Sequence, residues 1–323
     1  IKQLLMRDEP WKEYYKEQMD SIKDDDKKSD LYEIMQLEHK AERKNFLGDH
    51  EAASNIIDNL IKKYIKNENE RGWYKQKLAQ YKYYESKVDS IKIQKSAYED
   101  NMSMLKPIEG ITYKKLGDIS ATQFESIYKW INKFPSYTEL KLQVDDTLDR
   151  FTFGRLSYNF EKAVQEIGEM LGFQSQRPDK RYRVGPDNLW CGLKGMFFMI
   201  ECKDEVSTLR MSINKTEVGQ MNNHCGWFEK NYGVDAHVKR IMIIQTNKVA
   251  KDANFTHDVE IMDWECLTSL KQSIDGFVHE LKNYKLSDLT EAKINEFLIV
   301  HKLTVEDLQK LYSKKAKPLG ISQ

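Results

Sequence analysis

Through the first hundred residues, apolar positions recur at helical spacing and glycine is nearly absent. From Ile1 to about Leu105 the chain reads as helices, rich in Glu, Lys, Tyr and Ile. Breaks are expected near 24–29 (Asp-Asp-Asp-Lys-Lys-Ser), at Gly48-Asp49 and at Asn67-Glu68-Asn69. Further on the pattern changes. Phe160, Ala163, Val164, Ile167, Met170 and Leu171 keep helical spacing, and Gly172 is a natural stop. Short apolar runs follow, at 188–190 and 196–203, joined by Cys191-Gly192-Leu193-Lys194-Gly195, which suits a hairpin. Residues 214–232 read as a helix with Val218, Met221, Cys225 and Phe228 on one side. Residues 238–246 and 259–263 read as buried strands. The order helix, strand, strand, strand, helix, strand, strand, helix predicts an α/β domain with a mixed sheet, preceded by an all-α region.

Between these parts, Pro107-Ile108-Glu109-Gly110 marks a break, 122–134 a short helix and Pro135 a boundary. Thr290 and Thr304 each precede an acidic first turn and predict two more helix starts. The predicted organisation is a helical-hairpin domain over 1–108, a linker with helices over 109–150, the α/β domain over 151–280 and a helical tail over 281–323. The basic run Lys314-Lys315-Ala316-Lys317 either touches phosphate or is disordered.

The strand at 196–203 carries the candidate chemistry. Met196 to Ile200 is apolar, and the run ends on Glu201-Cys202-Lys203. Alternation along a strand turns Glu201 and Lys203 to one face and Cys202 to the other. The hairpin brings Asp187 beside Glu201. Oxygen donors from these two suit a hard cation, Mg²⁺ or Mn²⁺, with the Cys202 main-chain carbonyl as a further ligand. Lys203 can orient an attacking water or neutralise developing charge on a phosphate. Glu38-His39-Lys40 and Glu280-Leu281-Lys282 fit the same triplet, but in polar, helix-like surroundings. Arg177, Lys180, Arg181 and Arg183 cluster just before Asp187, as a nucleic-acid-binding rim or as a solvated loop.

Composition narrows the choice only slightly. With 51 Lys+Arg against 51 Asp+Glu the net charge is zero, which excludes a globally basic nucleic-acid binder but not a local patch. Four cysteines without Cys-x-x-Cys spacing read as reduced core residues of a cytoplasmic protein. No run suits a membrane span.

Residues 151–280 resemble the PD-(D/E)xK, or restriction-endonuclease-like, nuclease superfamily. The resemblance rests on the Phe-Glu-x-Ala-Val…Leu-Gly-Phe helix, the Gly-Pro-Asp-x-Leu-Trp turn and strand, and Ile-Glu-Cys-Lys. It implies Asp187 and Glu201 as metal ligands, Lys203 as the catalytic lysine, Glu161 as an accessory acid and Gln220 as a residue reaching the site. It implies a Mg²⁺- or Mn²⁺-dependent hydrolase of DNA, double-stranded before single-stranded.

In the helical region, Ala41, Gly48, Ala52, Ala53, Ile57 and Leu60 resemble one tetratricopeptide-type helix pair, with Gly48 in the turn. Residues 71–84 and 87–104 suggest a second pair. The aromatic residues Trp73, Tyr74, Tyr81, Tyr83 and Tyr84 are either core or a base-stacking platform. The region also resembles the C-terminal helices of some bacterial DEAD/DEAH-type helicase proteins. That implies a helicase or ATPase motor in the same or a partner chain and a role in antiphage defence, although no phosphate-binding Gly-x-x-x-x-Gly-Lys-Ser/Thr loop is present. The alternative to a nuclease is a catalytically inactive module that grips DNA and docks a protein partner through the N-terminal helices.

Overall fold

The computed structural model describes residues 26–107, 112–117, 120–154, 156–203 and 212–319. The chain divides between Thr112 and Tyr113 into two compact units.

The first unit holds α1 (Asp26–Phe46), α2 (His50–Tyr64), α3 (Glu68–Lys82) and α4 (Lys87–Asp100). The expected breaks at Gly48-Asp49 and Asn67 are there because polar side chains cap the next helix. Asp49 accepts from the Ala52 N–H and Asn67 from the Glu70 N–H, satisfying orphan first-turn donors. Of the break expected at 24–29, residues 24 and 25 lie outside the described residues, and 26–29 are helical. Ala41, Ala53, Ile57, Leu60, Tyr74, Leu78 and Tyr81 form one core. The aromatic set is therefore split. Tyr74 and Tyr81 are core, whereas Trp73, Tyr83 and Tyr84 are exposed, Tyr84 stacking on His50.

The second unit is a mixed six-stranded sheet between helical layers. Its elements are α5 (Gln123–Ile131), α6 (Tyr137–Arg150), α7 (Ser157–Met170), β1 (Gln174–Gln176), α8 (Pro178–Tyr182), β2 (Asn188–Cys191), β3 (Phe197–Lys203), α9 (Lys215–Tyr232), β4 (Val238–Ile244), β5 (Lys248–Val249), β6 (Val259–Met262), α10 (Trp264–Glu280), α11 (Glu291–Val300), α12 (Val305–Lys310), β7 (Lys314–Lys315) and β8 (Lys317–Pro318). The sheet order is β1-β2-β3-β4-β6-β7. Strands β1, β2 and β3 pair antiparallel, β3, β4 and β6 pair parallel, and β7 closes antiparallel on β6.

Period-2 alternation builds two cores. Phe198, Ile200 and Cys202 face α5, α6, α7, α10, α11 and α12, while Phe197 and Met199 face α9 with Val218, Met221, Cys225 and Phe228. Helices of 109–150 and of 281–323 thus share the core of the sheet. At α7 the contact with β2 is close: a Cβ on Gly168 would lie 2.5 Å from the Trp190 Nε1. The basic tail is ordered, and Lys315 and Lys317 are exposed. It forms β7 and β8, and Lys314 pairs with Asp263 and Glu265. No helix of the described residues is long and apolar enough to cross a membrane.

Candidate active site

Strand β3 lies in the middle of the sheet, and its C-terminal end carries Glu201 and Lys203. The β2–β3 register pairs Asn188 with Ile200, so the next position outward sets Asp187 opposite Glu201. Both share the face occupied by α9, because Asp187 has the parity of Leu189 and Glu201 that of Met199. The turn before Asp187 is pinned from that side. Gly185 has φ 76, and a Cβ there would lie 2.8 Å from the Trp227 ring of α9. Glycine thus satisfies both the left-handed backbone and the close approach. The Asp179 N–H also donates to the Pro186 carbonyl at 3.2 Å, tying α8 to the same turn.

Asp187 is half-buried, and its Oδ2 accepts from the Cys202 N–H at 2.7 Å. Burial, then the negative charges of Glu201 and Glu161, hold its carboxyl well above the ordinary range, against the Cys202 hydrogen bond and the Lys203 charge. Glu201 is 2% exposed. Its Oε1 accepts from Lys203 Nζ and its Oε2 pairs with His224 Nδ1, each at 2.8 Å. Burial works against its ionisation, but the His224 hydrogen bond and the Lys203 charge together outweigh it and lower its pKa. The two neighbouring carboxyls are thus driven in opposite directions, Glu201 toward the anion and Asp187 toward the acid. Lys203 is partly buried, which disfavours its charge, yet Glu201 and Asp187 raise its pKa on balance.

The remaining sequence-predicted residues divide. Glu161 is near enough for its charge to act on Asp187, but its carboxylate is engaged by Arg177 and by Ser157 Oγ at 3.2 Å. Its main-chain carbonyl accepts from Asn188 Nδ2 at 3.1 Å, which joins α7 to β2 beside the site. Arg177, expected on a nucleic-acid rim, is instead 6% exposed. Its guanidinium is paired with Glu161 and lies over the Tyr158 ring, because a cation this far out of water must find an anion. Lys180 also lies over the Tyr158 ring, with Nζ 4.4 Å from the centroid. Arg181 is half-buried and Arg183 is exposed, so they are the forward members of the patch. Gln220 is exposed on α9 and is hydrogen-bonded to neither Asp187, Glu201 nor Lys203. The residue of α9 that does reach Glu201 is His224, one turn further on.

The four cysteines are buried and none is in a disulfide, and burial pushes the Cys225 and Cys266 thiols up to about 11, as suits inert core residues. Among the described residues no three His, Cys, Asp or Glu side chains gather as a metal cluster. No family model matches the chain, and no curated protein or solved structure matches it either.

Proposed function

We propose that the second unit is a metal-dependent DNA nuclease. The observation that carries this reading is the meeting of Asp187, Glu201 and Lys203 at the C-terminal end of a central strand. The donor set fits a hard divalent cation. Asp187 and Glu201 offer carboxylate oxygens, and the Cys202 carbonyl is a further candidate ligand. A cation between them would offset the like-charge repulsion that helps raise the Asp187 pKa. Two carboxylates suffice for Mg²⁺ or Mn²⁺, which keep waters and substrate phosphate oxygens as their other ligands.

Bound there, the cation would supply Lewis-acid stabilisation and a more acidic water. The chain's own residues do the rest. Glu201 holds the Lys203 ammonium at the strand end, where it can neutralise charge developing on a phosphate. The Cys202 N–H orients Asp187. Arg181 and Arg183 precede Asp187 closely in the chain and supply cations for a phosphodiester backbone. Glu161 acts on Asp187 through charge, from its place in the Arg177 pair.

One observation favours a second reading, a DNA-gripping module without cleavage: both oxygens of Glu201 are already taken, by Lys203 and His224. The test that separates the two is incubation of the full chain with supercoiled plasmid, linear duplex and single strands in Mg²⁺ or Mn²⁺. Metal-dependent cleavage that Lys203→Ala lowers by roughly 10²–10³ supports the nuclease. DNA binding without cleavage under every condition supports the module.

A further inference from the structure

Glu201 is a carboxylate almost fully out of water, and it has one partner for each oxygen. Lys203, two residues away on the same strand, follows Glu201 wherever the strand goes. His224 comes from a different element, so its bond to Oε2 sets the carboxylate relative to the helix layer as well as to the strand. The helix leaves the ring little choice. Met221 and Cys225, the positions flanking it on α9, are fully buried, and the His224 side chain, at the margin of that buried face, is 23% exposed. With one donor on each oxygen the plane of the Glu201 carboxylate is fixed. With Lys203 alone it can turn about its last bond toward the flexible lysine. The tautomer that fits carries its hydrogen on Nδ1, so that an N–H donates to Oε2.

We infer that His224 is a positioning residue, which holds the Glu201 carboxylate in the orientation that a divalent cation shared with Asp187 would require. This deepens the nuclease reading and rests on it. His224 acts through Glu201. It is the kind of outer partner whose loss typically weakens metal affinity or activity 10–100-fold.

The experiment is a calorimetric titration of the full chain with Mn²⁺ in the absence of DNA, at one pH, for the parent, His224→Leu, His224→Ala and His224→Asn. Leucine keeps bulk without a donor, and asparagine restores an N–H donor near the place of Nδ1. Thermal unfolding by circular dichroism identifies which variants are folded. The expected result is a Mn²⁺ dissociation constant roughly 10–100-fold weaker in whichever donorless variant folds, with His224→Asn within about threefold of the parent. In cleavage assays the same donorless variant should lose kcat at fixed Mn²⁺ while the KM for DNA stays near that of the parent. A folded donorless variant that binds Mn²⁺ as tightly as the parent overturns the role of His224 and leaves the metal site standing. So does a folded His224→Asn as weak as the donorless form. If neither donorless variant folds, His224→Asn decides by the same threefold criterion. A parent that binds no Mn²⁺ at millimolar concentration overturns the positioning role and the metal reading together.

Discussion

Glu201 and Asp187 sit opposite one another, yet removing their charges should move stability in opposite directions. Consider Glu201→Gln first. The native carboxylate receives two charge-assisted hydrogen bonds at 2.8 Å, from partners whose side chains are 19% and 23% exposed, so water does not screen them away. Each such bond contributes about 1.5–3 kcal/mol. A glutamine keeps one acceptor oxygen, so one pairing survives in weakened, neutral form and the other is lost. The expected loss is about 2–3 kcal/mol at neutral pH. Because the folded pKa of Glu201 is depressed, its stabilisation is present above its ordinary value of 4.5 and fades as pH falls through the lower, folded value. The deficit of Glu201→Gln should therefore shrink only in acid. Asp187→Asn is the mirror case. Its folded pKa is raised above the ordinary 3.8, so the carboxyl favours the fold fully below that pH and loses that contribution as pH rises through the folded value. Asparagine keeps the acceptor for the Cys202 N–H and removes the charge. The variant should be more stable than the parent at neutral pH, where the buried charge is gone, and no different in acid. Urea denaturation of the full chain at a series of pH values, followed by near-ultraviolet circular dichroism, measures both. Glu201→Gln as stable as the parent at pH 7, or Asp187→Asn clearly less stable, refutes the assignment of anion and acid within the pair.

Lys203→Ala should lower the cleavage rate by roughly 10²–10³, as expected for loss of one stabiliser of developing charge, while a fluorescence-anisotropy assay shows nearly unchanged DNA affinity. The basic patch should separate by burial: Arg181→Ala and Arg183→Ala should each weaken DNA binding and reduce the salt slope by about 1, measured by titration across salt concentrations. Arg177→Ala should instead destabilise the fold by about 3–5 kcal/mol in urea melts, since it strands Glu161. Gly168→Ala forces a methyl into the Trp190 indole and should lower stability by about 1–3 kcal/mol, read as a fall in Tm.

The elements were legible where periodicity is long. Five apolar positions of α7, the buried side of α9 and the run into Glu201-Cys202-Lys203 gave helix, helix and strand, and each side chain faces as its parity requires. The threonine caps of α11 and α12 were legible because a cap is a local bond. What the sequence hid is what depends on distant partners. Nothing near Arg177 announces Glu161, sixteen residues back, so a buried ion pair passed for a surface cation. A strand of two lysines is too short for alternation to reveal, and β7 exists only because β6 offers it an edge. His224 is hidden in the sequence because its partner Glu201 lies twenty-three residues back, on another element. The useful count was from Met221, three positions earlier, which puts His224 at the margin of the buried face and within reach of Glu201.

The ends of the sheet have their own consequence. A strand with unpaired backbone groups recruits others, and this sheet offers little to recruit with. One side finishes in β1, three residues of Gln-Ser-Gln, and the other in two lysines laid over the apolar β6. Cutting the chain after Tyr312 would strip that cover and leave Val259–Met262 as a bare hydrophobic rim, open to the same rim on another molecule. The shortened protein should self-associate with concentration, visible by light scattering, with Asp187 and Glu201 themselves untouched. Strand β7 therefore serves as a guard on solubility, worn by the basic tail.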